Sequence, residues 1–110
     1  MRRVLLIGTS RENTVPLRTA LHHRGFEVHI EDQRWMAVQA LRQPVPLWEF
    51  VVVVAGANSE TDLAFLRELI AASQQFQQSG LPEFVFATRS RCTPAVRMHI
   101  VRLGARYVRL

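Results

Sequence analysis

Residues 49–63 read EFVVVVAGANSETDL, and the four consecutive valines at 51–54 decide how this chain folds. Such a run lacks the polar and apolar alternation of a half-exposed strand, which is typical of a strand covered on both faces. Strands of that kind occur in parallel sheets, where the crossover connections place helices on both faces. Downstream, Ser59 and Asp62 have the spacing of a helix-capping pair. The stretch therefore predicts a central strand followed by a helix.

The rest of the chain alternates strand and helix patterns around this central strand. Residues 4–7 (VLLI) predict a buried strand, and 26–31 (FEVHIE) alternate as an edge strand does. Residues 82–90 and 105–110 supply two more strands. This order predicts an α/β, three-layer flavodoxin-like sandwich with a five-stranded parallel sheet in the order 2-1-3-4-5. We expect one domain over residues 1–110, with the final helix of such folds missing.

Helical patterns connect the strands, and each has a recognisable beginning or end. Gly25 and Gly104 are expected to end the first and fourth helices, because the residue past a last turn often has positive φ. Trp35 and Trp48 are expected to pack the second helix and the turn after it onto the sheet. The residues predicted to begin the helices are Asn13 or Thr14, Asp32, Ser59 and Thr93.

Composition restricts the class of protein. Hydrophobic residues make up 48% and charged residues 21% of the 110, as in an ordinary globular domain. No apolar run approaches the ~20 residues that cross a bilayer. The apolar stretch at 4–7 is shorter than the roughly 7–15 residues of a secretory signal, so we predict a cytoplasmic protein without membrane contact. Cys92 is alone, which excludes an intramolecular disulfide.

The basic charge of the chain comes entirely from arginine. There are 14 arginines and no lysine, and the formal net charge is +5. Arginines occur from Arg2 to Arg109, without a segment that interleaves them with several aromatic residues. We therefore expect nucleic acid contact only through an attached output domain, if at all. An arginine-rich, nucleic-acid-associated module remains an alternative.

The loop at residues 8–13 (GTSREN) is a candidate anion site. In parallel α/β sheets, ligands bind outside the carboxyl ends of the strands, near the switch point between the first and third strands. Backbone N–H groups of Thr9, Ser10 and Arg11 at a helix start, with the arginine charge, suit an anion. The loop lacks the second glycine and the lysine of a P-loop. A small anion- or nucleotide-sensing domain is therefore a second alternative.

Over its whole length the chain resembles the receiver domain of two-component response regulators. The segments that carry the resemblance are VLLIGT (4–9), LRTALHHRGFEV (17–28), TDLAFLREL (61–69), PEFVFAT (82–88) and GARYVRL (104–110). The resemblance implies the receiver fold and Mg²⁺-dependent transfer of a phosphoryl group to an aspartate. It also implies a lysine that pairs with the phosphate, and a hydroxyl and an aromatic residue that relay the state.

Most of the phosphorylation residues of that family are absent here. Its acidic pair falls on Gly8 and Thr9, and its lysine falls on Leu110. Its acceptor aspartate falls on Val54, or on Ala55 if the register slips by one. Mg²⁺ prefers carboxylate oxygens, and an acyl phosphate needs a carboxylate nucleophile. We therefore expect a degenerate pseudo-receiver that is not an enzyme, with no catalytic residue, metal or cofactor.

What remains of the family pattern concerns signal transmission. Thr88 matches the relay hydroxyl, and Tyr107 matches the switch aromatic. The fourth helix and fifth strand form the usual dimer face in receivers, and the apolar residues of 94–110 would leave an exposed strip there. We therefore expect a non-phosphorylatable receiver-like signalling domain. It would act through a protein partner or a homodimer that uses the residue 94–110 region.

Overall fold

The structure is a computed structural model. It describes residues 2–8, 11–42, 48–56, 59–76, 82–89 and 91–110, the side chains of 11, 59, 75 and 76 excepted. The strands are β1 (Arg3–Ile7), β2 (Glu27–Glu31), β3 (Phe50–Val54), β4 (Glu83–Thr88) and β5 (Arg106–Arg109). The helices are α1 (Arg11–His23), α2 (Arg34–Arg42), α3 (Ser59–Phe76) and α4 (Pro94–Arg102).

The five strands form one parallel sheet in the order β2-β1-β3-β4-β5, as the sequence predicts. β3 is central because its valines suit an environment that is apolar on both sides. Residues 51–54 are each at most 8% exposed. The alternating β2 lies at one edge and β5 at the other.

Helices cover both faces of the sheet, which gives three layers. On one face, Ala37 of α2, Leu66 of α3 and Ile100 of α4 pack against alternate strand residues such as Val51 and Phe86. The opposite face is covered by α1. Its cluster comprises Val4, Leu6, Val52, Val54 and Ala87, with Leu17 and Leu21 packed against it. Among the described residues, no helix combines the length and apolar character that a bilayer span requires.

Two predicted helix ends and one predicted beginning are confirmed, and two predicted beginnings are wrong. Gly25 (φ 89°) and Gly104 (φ 84°) take the left-handed conformation after α1 and α4. Thr93 caps α4, its hydroxyl accepting a hydrogen bond from the Val96 N–H at 3.3 Å. Asn13 and Thr14 are not caps, because α1 already begins at residue 11 and Thr14 is buried against the sheet. Likewise Asp32 lies one residue outside the cap position of α2.

The two tryptophans have different environments. Trp48 is buried, and its indole N–H donates to the carbonyl oxygen of Ala40 at 3.3 Å, which ties the turn to α2 as predicted. The prediction for Trp35 is wrong, since its side chain is 63% exposed. Ala37 and Leu41 form the buried face of α2. Trp35 lies outside that face because it is two residues, about half a turn, before Ala37.

Candidate functional site at the carboxyl edge of the sheet

The carboxyl ends of β1 and β3 enclose a small cavity, which we call the crevice, at the place where the sequence predicts a site. Its volume is about 60 Å³, enough for only a few water molecules. The crevice is lined by Ile7, Gly8, Asp32, Arg34, Val53, Val54, Gly56, Asp62 and Phe65.

Gly8 and Val54 close the bottom of the crevice by direct contact. Val54 is only 7% exposed and belongs to the α1-side cluster. A Cβ atom on Gly8 would lie 2.9 Å from the Thr14 methyl carbon and 3.1 Å from Val54 Cβ. A real Cβ does not approach another carbon at 2.9 Å, so this position accommodates glycine without rearrangement and nothing larger. An acidic side chain at residue 8 has no room in this packing.

Ala55, the other possible acceptor position, lies on the opposite side of the sheet from Val54. It is 5% exposed and packs in the cluster beneath α2, α3 and α4. Its N–H donates to the carbonyl oxygen of Ala87 at 2.7 Å, which continues the β3–β4 pairing. Neither of the two positions carries a side-chain oxygen.

Asp62 and Arg34, two of the charged residues that line the crevice, are engaged with each other. Asp62 of α3 accepts a hydrogen bond from the Gly56 N–H at 2.8 Å, so its carboxylate fixes the connection from β3 to α3. The other oxygen of that carboxylate lies 3.6 Å from Arg34 Nη2. The Arg34 guanidinium also stacks 5.1 Å from the centre of the Phe65 ring, a cation–π contact. The crevice therefore holds its own cation.

The described residues of the crevice do not fit a magnesium ion. Mg²⁺ is usually held by one or two carboxylates together with several waters in near-octahedral geometry, and among the described lining residues the carboxylates are those of Asp32 and Asp62. Asp62 already accepts a hydrogen bond from the Gly56 N–H, and Arg34, 3.6 Å from its other oxygen, places a like charge beside any incoming cation. Nowhere in the described ranges do three or more His, Cys, Asp or Glu side chains converge as a metal site.

The two residues that match the receiver relay lie on β4 and β5. Thr88 ends β4 and is 3% exposed, and its carbonyl oxygen accepts from the Leu110 N–H at 2.8 Å. Tyr107 of β5 packs against the core beside α4, and its buried hydroxyl has no hydrogen-bond partner among the described residues. The Arg97 guanidinium lies 5.2 Å from the Tyr107 ring centre. Their relay roles stay predictions.

The predicted anion loop falls largely outside the described residues. Thr9 and Ser10 are not described, nor is the Arg11 side chain, although the Arg11 backbone begins α1. The anion site therefore stays a prediction. Nearby, Arg89 Nη2 donates to the Glu12 carbonyl oxygen at 3.3 Å. A groove of about 400 Å³ follows this contact, lined by Asn13, Pro16, Leu17, Arg89 and Leu110.

A second exposed feature, which we call the α4 surface, comprises the solvent-facing side chains of Ala95, Arg97, Met98, Val101 and Arg102. Met98 is 56% and Val101 65% exposed. A groove of about 330 Å³ runs along this helix, lined by Ala95, Met98, His99, Arg102 and Leu103. At its α3 side, Arg67 Nη2 donates to His99 Nε2 at 2.6 Å. The exposed apolar residues lie in the 94–110 region, where the sequence predicts a partner surface.

The uneven distribution of acidic residues is a signal that the sequence analysis missed. Residues 1–88 carry eight arginines and nine acids, whereas 89–110 carry six arginines and no acid. All six of those arginines are exposed. Arginine positions alone look scattered, and the asymmetry emerges only when the positions of the acids are read with them.

Solved structures similar to this one are response-regulator receiver domains and related proteins. A response regulator from Burkholderia pseudomallei, with a phosphorylated aspartic acid, calcium ion and citrate, superimposes with a TM-score of 0.75 at 17% identity, over 99% of this chain and 59% of its own. A response regulator from Thermotoga maritima gives 0.75 at 18% identity, over 98% and 83%.

The similarity also extends to a protein with a different description. A putative pilus assembly-related protein from Burkholderia pseudomallei K96243 gives a TM-score of 0.70 at 16% identity, over 98% of this chain and 76% of its own. No protein-family model matches the sequence, and no curated protein matches it. The chain thus has the receiver fold over nearly its whole length, and it spans about three fifths of the first of these proteins.

Proposed function

We propose that this chain is a receiver-like signalling domain that does not accept a phosphoryl group and works by contact with another protein. The similarity to receiver structures supports the signalling role at the level of the fold. One observation carries the rest of the proposal: Val54 is buried against Gly8, at the two positions where receivers carry acids. We place the domain in the cytoplasm and assign it no catalytic activity.

The packing of the crevice supports the absence of phosphoryl transfer on chemical grounds. An acyl phosphate forms by attack of a carboxylate oxygen, and the charge on the transferred group must be neutralised, usually by a metal. Val54 has no nucleophilic atom, and Gly8 has no room for a ligand. The Asp62 carboxylate accepts a hydrogen bond from the Gly56 N–H and pairs with Arg34. These contacts stabilise the β3–α3 connection and occupy both carboxylate oxygens.

Signalling without a phosphate requires that a partner distinguish two states of the domain, or that the domain act as a fixed docking module. In the first case the partner shifts the equilibrium only by its differential affinity for the two states. The residue 94–110 region supplies exposed Met98 and Val101 for such a contact. The pilus assembly-related neighbour has this fold in a protein that is not described as a response regulator.

The test is direct exposure of the chain to phosphoryl donors. The chain is incubated with acetyl phosphate and Mg²⁺, and separately with beryllofluoride and Mg²⁺, beside a receiver domain that has its acceptor aspartate. Intact-mass spectrometry is expected to show no phosphorylated species, and amide NMR no shifts at residues 50–56. A stoichiometric modification, or shifts centred on β3, would contradict the proposal.

A further inference from the structure

We infer that the α4 surface, with the arginines around it, binds an acidic amphipathic protein segment rather than a second copy of this chain. This inference rests on the proposed function, since it names the kind of partner that a contact-driven domain would take. It depends on charge, exposed apolar area and the existing contacts of the arginines, three observations that are independent of the crevice.

The charge of this surface has a single sign. Residues 89–110 contain six exposed arginines and no acid, while the remainder of the chain is close to neutral. Glu83, the acid that precedes this segment in sequence, already pairs with Arg106. A surface with this balance attracts carboxylates over long range and repels cations.

The middle of the surface is apolar and adaptable. Met98 and Val101 are three residues apart on the exposed side of α4, and Arg102 and Ala95 flank Met98 along the groove. Methionine and arginine are enriched, and lysine and acids depleted, in protein–protein interfaces with an apolar centre and a polar rim. Met98 has the unbranched, flexible side chain that fits varied partner shapes. The groove suits apolar side chains at helical spacing, with acids on either side of them.

A symmetric dimer through the same residues is disfavoured by the charge. In a two-fold interface the same patch faces its own copy. Arg97 and Arg102 of the α4 surface would then face their own copies, with no acid in residues 89–110 to separate them. Like-charge juxtaposition of this kind costs binding free energy and selects against the pairing.

A protein segment is also a better occupant than nucleic acid. Stacking on exposed aromatic rings supplies much of the energy when single strands bind without sequence preference. Tyr107, the aromatic side chain of this region, is half-buried with Arg97 stacked on it. Met98 and Val101 occupy the middle of the surface, and a phosphate backbone would make no favourable contact with these apolar side chains.

The experiment compares designed probes on the 110-residue chain. The first is a fluorescent peptide of about 15 residues, long enough for a marginal helix, with leucines at i, i+3, i+4 and i+7 and glutamates elsewhere. The second has the same composition with the leucine spacing scrambled, and the third replaces each glutamate by lysine. A double-stranded DNA of unrelated sequence is the fourth. Fluorescence anisotropy measures binding, and amide NMR locates it.

We expect the acidic amphipathic peptide to bind at least about fivefold more tightly than its scrambled form, and the lysine peptide not to bind. Arg102→Glu should weaken binding by about three- to tenfold, and Met98→Ala by about fivefold. The matched controls Arg24→Glu and Val15→Ala change exposed residues near and on α1 and should leave binding unchanged.

Several results would overturn the inference. The scrambled peptide could bind as tightly as the acidic amphipathic peptide, or the DNA could bind more tightly than that peptide. The amide NMR shifts could lie outside residues 94–110, or sedimentation could show a concentration-dependent dimer that Arg102→Glu abolishes. Each of these leaves the phosphoryl-donor experiment unaffected. A positive result in that experiment would reject the proposed function even if the acidic peptide bound as expected.

Discussion

Placing a carboxylate at residue 54 tests whether the crevice is as closed as its geometry indicates. Val54 is 7% exposed and packs with Val4, Leu6, Val52 and Ala87. Val54→Ala removes two methyl groups, worth about 1.6 kcal/mol of transfer free energy, and a small cavity brings the loss to about 2 kcal/mol. Val54→Asn adds an unsatisfied amide, at about 1–3 kcal/mol. Val54→Asp buries an unpaired charge and should cost about 3–5 kcal/mol in total.

Urea unfolding measures these differences, and the pH dependence separates charge from polarity. Burial raises the pKa of a carboxyl, because the charged form loses hydration. The excess loss of Val54→Asp over Val54→Asn should therefore be full at neutral pH and shrink as pH falls toward the ordinary carboxyl range. Val15→Asp, on the exposed side of α1 at 49% exposure, is the control and should change stability by no more than about 0.5 kcal/mol.

The reasoning is refuted if Val54→Asp is as stable at neutral pH as Val54→Ala. It is equally refuted if Mg²⁺ raises the urea midpoint of Val54→Asp, since that would mean that the crevice admits a hydrated cation. Either result would show that the packing around residue 54 accommodates a carboxylate.

Three further predictions concern other contacts near the sheet edges. Gly8→Ala should lower the free energy of unfolding by about 1–3 kcal/mol, because its Cβ meets the Thr14 methyl at 2.9 Å. Gly56→Ala should be close to neutral in the same urea assay, because within the described part of the chain its Cβ meets only Asp62 Oδ2, at 3.9 Å. Asp62→Ala should cost about 0.5–1.5 kcal/mol, because the Gly56 N–H loses its acceptor at an exposed site where water can replace it. Asp62→Asn should recover part of that loss, and equal losses would mean that this hydrogen bond contributes little. The hydrogen bond from Arg2 lowers the pKa of Glu49. This pair should therefore stabilise the fold above the ordinary carboxyl pKa, and the stabilisation should be lost as pH falls through the lowered pKa. Glu49→Gln should flatten this part of the pH–stability curve, and an unchanged curve would mean that the pair does not stabilise the fold.

The architecture could be predicted because it depends on periodicity within single elements. Four adjacent valines at 51–54 indicate a strand that is apolar on both faces, and the alternation from Glu27 to Glu31 indicates an edge. Those two features, with the helix patterns between, are sufficient to predict the order of the sheet. The resemblance to receivers, rather than periodicity, identified Gly8 and Val54, at the ends of β1 and β3, as positions that lack the acids of that family.

Contacts between elements could not be predicted from periodicity. The closure of the crevice joins Gly8 of the β1 end, Thr14 of α1 and Val54 of β3, and the ion pair joins Arg34 of α2 to Asp62 of α3. Trp35 was expected to pack on the sheet because it has helical spacing with Leu41, yet Ala37 and Leu41 occupy the buried face of α2. Sequence periodicity determines which side of an element is buried. Which side chains then meet depends on how the crossover helices are seated on the sheet, and only the tertiary structure decides that.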